Sequence, residues 1–274
     1  MGSLKKVPAS LTSIMASALL AAAISGSISF AADLPPIVEI PPEVVPQSYG
    51  GWYLRGDIGY AKSSVGGVSY FQGATQTGEF EQHDIDHGWL IGGGLGYQIN
   101  DWFRVDVTSN YQAQVDYQGS SAQNVACSDG TAGAFCSYSD NGDLQITTLM
   151  ANAYFDLGTY QGFTPYVGAA LGGAYLHWTG PENIEYYVSG NVPGTLARDK
   201  HGNRSGWRFA YGLHAGVSYD VSANLKIDAG YTWTQVSEGE MFGFGRTSGL
   251  EGTQGYHEQM NLHAFKVGLR YAFN

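Results

Sequence analysis

From Gly51 to the C-terminus the chain repeats one pattern, an apolar side chain at every second position with a polar or small one between, which predicts strands with two unlike faces. In "GWYLRGDIGYA", Trp52, Leu54, Ile58 and Tyr60 share one face, and Arg55 and Asp57 lie on the other. "HGWLIGGGLGYQI" sets Trp89, Ile91, Leu95 and Tyr97 against glycines and Gln98. "FRVDVTSNYQAQVDY" sets Phe103, Val105, Val107, Tyr111, Val115 and Tyr117 against Arg104, Asp106, Asn110, Gln112, Gln114 and Asp116. In a fourth segment Leu149, Ala151, Ala153, Phe155 and Leu157 oppose Asn152 and Asp156, but Leu144 and Ile146 upstream fall on the opposite parity, which predicts a bulge or an exchanged face there. The fifth, from Pro165, is too rich in small residues for its faces to be assigned.

Two further segments lie in "WRFAYGLHAGVSYDVSANLKIDAGYTWTQ". The sixth places Phe209, Tyr211, Leu213, Ala215, Val217, Tyr219 and Val221 opposite Arg208, His214 and Asp220; the seventh places Leu225, Ile227, Ala229, Tyr231 and Trp233 opposite Lys226, Asp228, Thr232 and Thr234. The eighth alternates Phe265, Val267, Leu269, Tyr271 and Phe273 with Lys266 and Arg270. Connections alternate as well. "NDW", "GTYQGF" and "SAN" are short, whereas 61–84, 118–143, 179–206 and 237–257 run to about twenty residues or more, so short and long connections lie at opposite ends of the strands.

Period two alone also fits a soluble, lipocalin-like barrel with its apolar face inside. Three features favour the inverted arrangement. The polar face is rich in Gly, Ala and Ser, such as Ala210, Gly212, Gly216 and Ser218, and smallness is needed only where charges must share a narrow interior. Aromatic residues gather near the ends of the apolar faces, where membrane girdles lie. The segregated connections fit insertion from one side of a membrane. Closure would give every ladder group a partner where there is no water. The predicted fold is therefore all-β: an eight-stranded antiparallel up-and-down transmembrane β-barrel with short periplasmic turns and four long extracellular loops. Trp52, Leu54, Tyr60, Trp89, Phe209, Tyr211, Leu213, Val217, Tyr219, Ile227, Tyr231 and Trp233 are predicted to face lipid or its girdles. Arg55, Asp57, Arg104, Asp106, Arg208, Asp220, Lys226, Asp228, Lys266 and Arg270 are predicted to face inward, as a conduction path or as an ion-paired plug; mixed signs make the plug the default, because buried charges persist when paired.

The N-terminus adds a destination. Lys5 and Lys6 precede a mostly apolar run from Leu11 to Ile28 and then "SFAADLPP", the layout of a cleaved secretory signal over 1–31, with a retained transmembrane helix as the alternative. Residues 32–50 carry five prolines in "ADLPPIVEIPPEVVPQ" and read as an extended periplasmic tether before the domain at 51–274, with a partner-recruitment site as the alternative. Removing the leader takes away two of the 13 bases and none of the 24 acids, leaving a net charge of −13, which disfavours nucleic acid as a partner. Cys127 and Cys136, nine residues apart in an exported chain, suggest one small disulfide worth roughly 3 kcal/mol or less; two free thiols or a metal half-site is the weaker reading.

At the C-terminus Lys266, Gly268, Tyr271 and Phe273, followed by Asn274, resemble the assembly signal read by the barrel-insertion machinery. With "GWYLRGDIGY", "FTPYVGAALGGAY" and "ADLPP", the chain from 51 onward resembles the small outer-membrane β-barrel family of Gram-negative bacteria, which includes OmpA-type transmembrane domains, OmpX, opacity-type adhesins and "porin family" surface proteins. That resemblance implies an eight-stranded barrel with periplasmic termini and outside loops, in contact with outer-membrane lipid and lipopolysaccharide, and adds haemin or a host surface as loop ligands.

Catalytic and metal motifs fail on inspection. As strand residues, His83 and His87 would stand about 13 Å apart, too far to share an ion. "HEQMNLH" has Asn261 where the zinc-protease motif requires its second histidine. "GGGLG" at 92–96 lacks the lysine and helix of a phosphate loop, and no histidine is followed two residues later by serine. No enzyme activity and no cofactor is expected. The acidic loops interleave Glu79, Glu81, Glu182, Glu185, Glu238, Glu240 and Glu251 with Tyr70, Phe71, Tyr186, Tyr187, Phe242 and Phe244, a mixture that fits solvated surface or partner binding. The function expected is structural and interactive, with a narrow diffusion channel, or an adhesin or haemin binder, as the alternatives.

Overall fold

The structure, a computed structural model, describes residues 50–72, 76–122, 125–127, 133–188 and 195–273; the leader and the tether up to residue 49 lie outside the described residues. Among these the regular elements are all strands: β1 (Gly51–Val65), β2 (Val68–Gln72), β3 (Gln76–Glu79), β4 (Gln82–Ile85), β5 (His87–Asn100), β6 (Phe103–Ser120), β7 (Val125–Ala126) and β8 (Phe135–Asp156). They continue as β9 (Phe163–Tyr187), β10 (Thr195–Lys200), β11 (Arg204–Asp220), β12 (Leu225–Val236), β13 (Gly239–Gly243), β14 (Thr253–His257) and β15 (Met260–Ala272).

Eight of these are long and pair antiparallel in the path β9, β11, β12, β15, β1, β5, β6, β8, and β8 pairs in turn with β9. The remaining strands extend or cap one end of this circuit. β4 continues the β6 ladder, while β7 pairs with β8 and β10 with β9. β13, β14, β2 and β3 form a separate four-stranded sheet from the two connections that flank β1 and β15. Much of the sequence expected to be loop is thus ladder, because Tyr70, Phe80, Met241 and Phe242 supply an apolar face that packs under it.

The long strands change character along their length. Toward the short-turn end, outward residues are apolar and exposed, and inward residues are charged in β1 and β15 and small or polar in β5. Toward the long-connection end the polarity inverts. Ile85, Val115, Tyr117, Leu144, Ile146, Leu176, Trp178, Val236, Met260 and Leu262 all turn inward and form one buried cluster with Val68, Phe80, Met241 and Phe242.

Two expectations are corrected by this inversion. Val115 and Tyr117 do not share the outward face of Phe103 and Val105: Ala113 and Gln114 are both exposed and together oppose Gln145, a bulge that exchanges the faces of β6. Gln114 and Asp116 accordingly point outward rather than inward. In β8 the register with β9 between Asp143 and Asp156 is unbroken, the extra residue lying in β6, and Leu144 and Ile146 keep the inward parity of Asn152 and Asp156. The change of parity in sequence there records a change of surroundings and no bulge.

Leu144 and Ile146 belong to an ordinary dry core, so truncation should leave a cavity. Leu144→Ala is expected to cost about 2–5 kcal/mol, whereas Gln145→Ala, on the half-buried outer face of the same strand, should change denaturant stability far less. Equal effects from the two substitutions would contradict the inward packing.

Candidate functional site

Inside the circuit of long strands, charged and polar side chains from five of them meet in one hydrogen-bonded layer. Arg55 on β1 grips Asp57 with both arms, Nε to Oδ2 at 2.9 Å and one terminal nitrogen to Oδ1 at 2.8 Å. Its other terminal nitrogen donates to Asp106 Oδ2 and to the Tyr154 hydroxyl, each at 3.1 Å. The Tyr53 hydroxyl and Asn152 Nδ2 also donate to Asp106, at 3.0 and 2.6 Å. His214 then joins Asn152 Oδ1 to Thr232, at 3.1 Å each. Side-chain exposures of 8, 3 and 0 % for Arg55, Asp57 and Asp106 make this a desolvated cluster in which each charge depends on its neighbours.

A second layer lies nearer the short turns. Arg104 donates to Asp156 at 3.1 Å and lies over the rings of Tyr154 and Tyr166, 4.2 and 4.7 Å from their centroids. The two rings take up guanidinium faces whose terminal nitrogens have no hydrogen-bond partner among the described residues. Arg270 donates to Asp228 at 3.2 Å and to Ser218 at 2.9 Å, and Ser218 in turn donates to Asp228. Gln98 links Asp156 to Arg270.

Small inward residues make room for these groups. A β-carbon on Gly96 would collide with the Tyr53 ring, and one on Gly268 would collide with the Asp57 carboxylate. Gly268, singled out in the sequence as part of an assembly signal, is thus also required sterically by the network beside it. Lys266 and Gly268 point inward from β15, and Tyr271 and Phe273 point outward.

Six of the ten expected interior charges, Arg55, Asp57, Arg104, Asp106, Asp228 and Arg270, join this network; four do not. Lys226 and Asp220 pair with each other at the short-turn rim with about a third of each side chain exposed. Lys266 donates to the neutral Asn110 Oδ1 at 3.1 Å, and Asn110 to Thr148 at 3.2 Å. Arg208 lies at the other end and donates to the Trp207 and Glu240 carbonyls, bracing β13 in place of joining the network. Gln98, His214 and Ser218 were placed on the polar face in the sequence without a role, and Tyr53, Tyr154 and Tyr166 were not singled out there. Their signal is positional, since each shares the inward parity of a charge on its own strand or the next.

The outward set consists of Trp52, Leu54, Tyr60, Trp89, Phe209, Tyr211, Leu213, Tyr219 and Ile227, all exposed, with Val217, Tyr231 and Trp233 half-buried on the same face. Rings bracket it at both ends: Trp52 packs edge-on to Tyr97 and Tyr60 edge-on to Trp89, each at 5.3 Å. At the capped end Cys127 and Cys136 are disulfide-bonded beside Glu185, so those thiols are not available to a metal. His83 lies near the Val65 carbonyl at 3.3 Å, and the His87 ring packs against Tyr60.

An all-β chain with an exposed apolar belt and an ionic interior has the architecture of an integral membrane barrel. A family model for the outer membrane protein beta-barrel domain matches residues 16–273, and the chain belongs to that family, whose members reside in the outer membrane of Gram-negative bacteria. An uncharacterized protein of Brucella suis is 37 % identical over 274 aligned residues, covering 91 % of this chain and 94 % of the relative. A Rickettsia bellii protein provisionally described as an adhesin is 27 % identical over 80 % of this chain and 87 % of its own. Among solved structures, Neisserial surface protein A shares 19 % identity over 81 % of this chain and 97 % of its own, with a TM-score of 0.41.

Proposed function

We propose that the eight long strands form a closed up-and-down barrel across the outer membrane, with the short turns in the periplasm and the strand-built cap outside the cell, and that its role is structural and interactive rather than enzymatic or conductive. In this reading residues 1–31 are removed on export, residues 32–50 form a periplasmic tether, and the C-terminal residues are read by the barrel-insertion machinery. The belt from Trp52 to Tyr60 and its equivalents faces hydrocarbon and lipopolysaccharide.

One observation carries the reading: the interior is filled. The Arg55–Asp57–Asp106–Asn152–His214 layer crosses it, and the dry cluster around Leu144, Ile146 and Trp178 lies beyond. Between the two, a space of about 60 Å³ remains, lined by Asn110, Thr148, His214 and Lys266 among others. That volume holds a few waters and has no room for a passing solute. The adhesin description of the Rickettsia relative supports contact with another surface as the task of the cap.

Reconstitution in planar bilayers tests this. The purified protein is expected to give no unitary conductance, while cells displaying it bind host-cell surfaces or haemin saturably. Stable unitary currents would identify a narrow diffusion channel instead.

A further inference from the structure

Beyond the plugged interior, at the capped end, β8, β9, β10 and the edge of the four-stranded sheet enclose a cavity of about 530 Å³. Its walls include the rings of Tyr70, Phe80, Phe242 and Phe244, and Asp140 and His201 line it. We propose that this cavity is a binding site for a small organic cation, an ammonium with an apolar or aromatic body, received by Asp140 Oδ1 and His201 Nε2. The inference concerns the cap alone and holds whether or not the barrel conducts.

The argument starts from an unbalanced charge. Asp140 keeps only 4 % of its side chain exposed. Its partners among the described residues are Asn183, whose Nδ2 donates to Oδ1 at 3.0 Å, and His201, whose Nε2 stands 3.6 Å from the same oxygen. Asn183 is neutral. His201 Nδ1 lies 3.1 Å from the Gly243 carbonyl, which can only accept, so Nδ1 carries the ring proton and Nε2 presents a lone pair. Burial also lowers the basicity of this imidazole and keeps it neutral. Two acceptors therefore face each other beyond hydrogen-bond distance with no proton between them. The nearby Arg198 reaches out to Glu182 at 3.5 Å, where both are exposed, and leaves Asp140 uncompensated.

A buried carboxylate without a countercharge either takes up a proton or takes up a cation. Its burial pushes Asp140 up to about 7, so both outcomes are available near neutral pH. A primary ammonium would donate to both acceptors at once and set its body against the rings, which attract cations through their faces. A bare metal ion fits less well, because Asp140 and His201 supply two ligands where zinc takes four.

Isothermal titration calorimetry on refolded protein, with benzylamine as the probe and benzyl alcohol as its uncharged counterpart, tests the site. Benzylamine should bind saturably and at least tenfold more tightly than benzyl alcohol, and Asp140→Asn should weaken it tenfold or more while the folded variant, like the parent protein, migrates faster on a detergent gel unboiled than boiled. If that variant does not fold, pH supplies the second arm. Benzylamine affinity should rise between about pH 6 and 8 as Asp140 gives up its proton, with benzyl alcohol unchanged. The charged or titratable groups facing Asp140 are His201, Glu185, Asp199, Arg198, Tyr138, Tyr70 and Tyr117; burial raises Asp140 into that range and lowers His201. No saturable benzylamine binding, equal affinity for the two probes, undiminished binding to Asp140→Asn, or tighter binding of Zn²⁺ abolished by His201→Gln would each overturn the proposal.

Discussion

Replacing Arg55 by methionine is expected to destabilise the protein by roughly 3–5 kcal/mol, the cost of removing one partner from a buried ionic cluster. Arg55 touches Asp57 twice, Asp106 once and the Tyr154 hydroxyl once, and these carboxylates have side-chain exposures of 3 and 0 %. Without the guanidinium, the inward carboxylates of Asp57 on β1 and Asp106 on β6 keep no charged hydrogen-bond partner among the described residues. The loss therefore arises from stranded charge more than from the missing contacts. The triple variant Arg55→Met, Asp57→Asn, Asp106→Asn should recover much of the stability, because no uncompensated ion is left and amides can accept from Asn152 and Tyr53. Guanidinium unfolding in lipid vesicles reads both. A single substitution costing less than 1 kcal/mol, or a triple variant worse than the single one, would show that the layer is not held by paired charge.

The second large effect is expected on the opposite face. Leu213 is 56 % exposed, pairs across to Ala169 and Trp233, and sits midway between Trp207 and Tyr219 on the outward side of β11. If that belt lies in hydrocarbon with its aromatic ends at the two interfaces, Leu213 is near the midplane. Leu213→Arg should then cost about 2–4 kcal/mol, while an arginine at Tyr219, near the interface, should cost about 0–1. In water the ranking would disappear, since an arginine on an exposed strand surface has little to lose. The depth dependence is therefore the measurement that distinguishes lipid from solvent around this surface, and flat behaviour along β11 would reverse the assignment of its faces.

The two effects rest on information of different kinds. Alternation in β1, β5, β11, β12 and β15 was legible residue by residue, because a strand whose two faces meet different media writes period two directly into its sequence. Arg55, Asp57, Lys226 and Arg270 fall on one parity and Leu54, Leu213 and Phe265 on the other without any knowledge of the partners. Where the two media change along a single strand, the pattern misled. Val115, Tyr117, Leu144 and Ile146 are as apolar as Val107 or Leu149, and composition does not say whether such a residue meets lipid outside or a dry core inside.

What the sequence determined by itself was the number of long strands, the sequestration of most charge on one face and, through its family, the outer membrane as destination. Only the tertiary structure decided which charge meets which. Arg55 is brought to Asp106 across 51 residues and Arg104 to Asp156 across 52, while Arg208 is drawn off to the cap and Lys266 to a neutral asparagine. It also decided that the long connections return as a sheet and leave Asp140 beside His201 over an aromatic-walled cavity. The reason is physical: periodicity is a property of one strand and its surroundings, whereas pairing depends on register among strands and on the bulge at Ala113–Gln114, neither of which a single strand encodes.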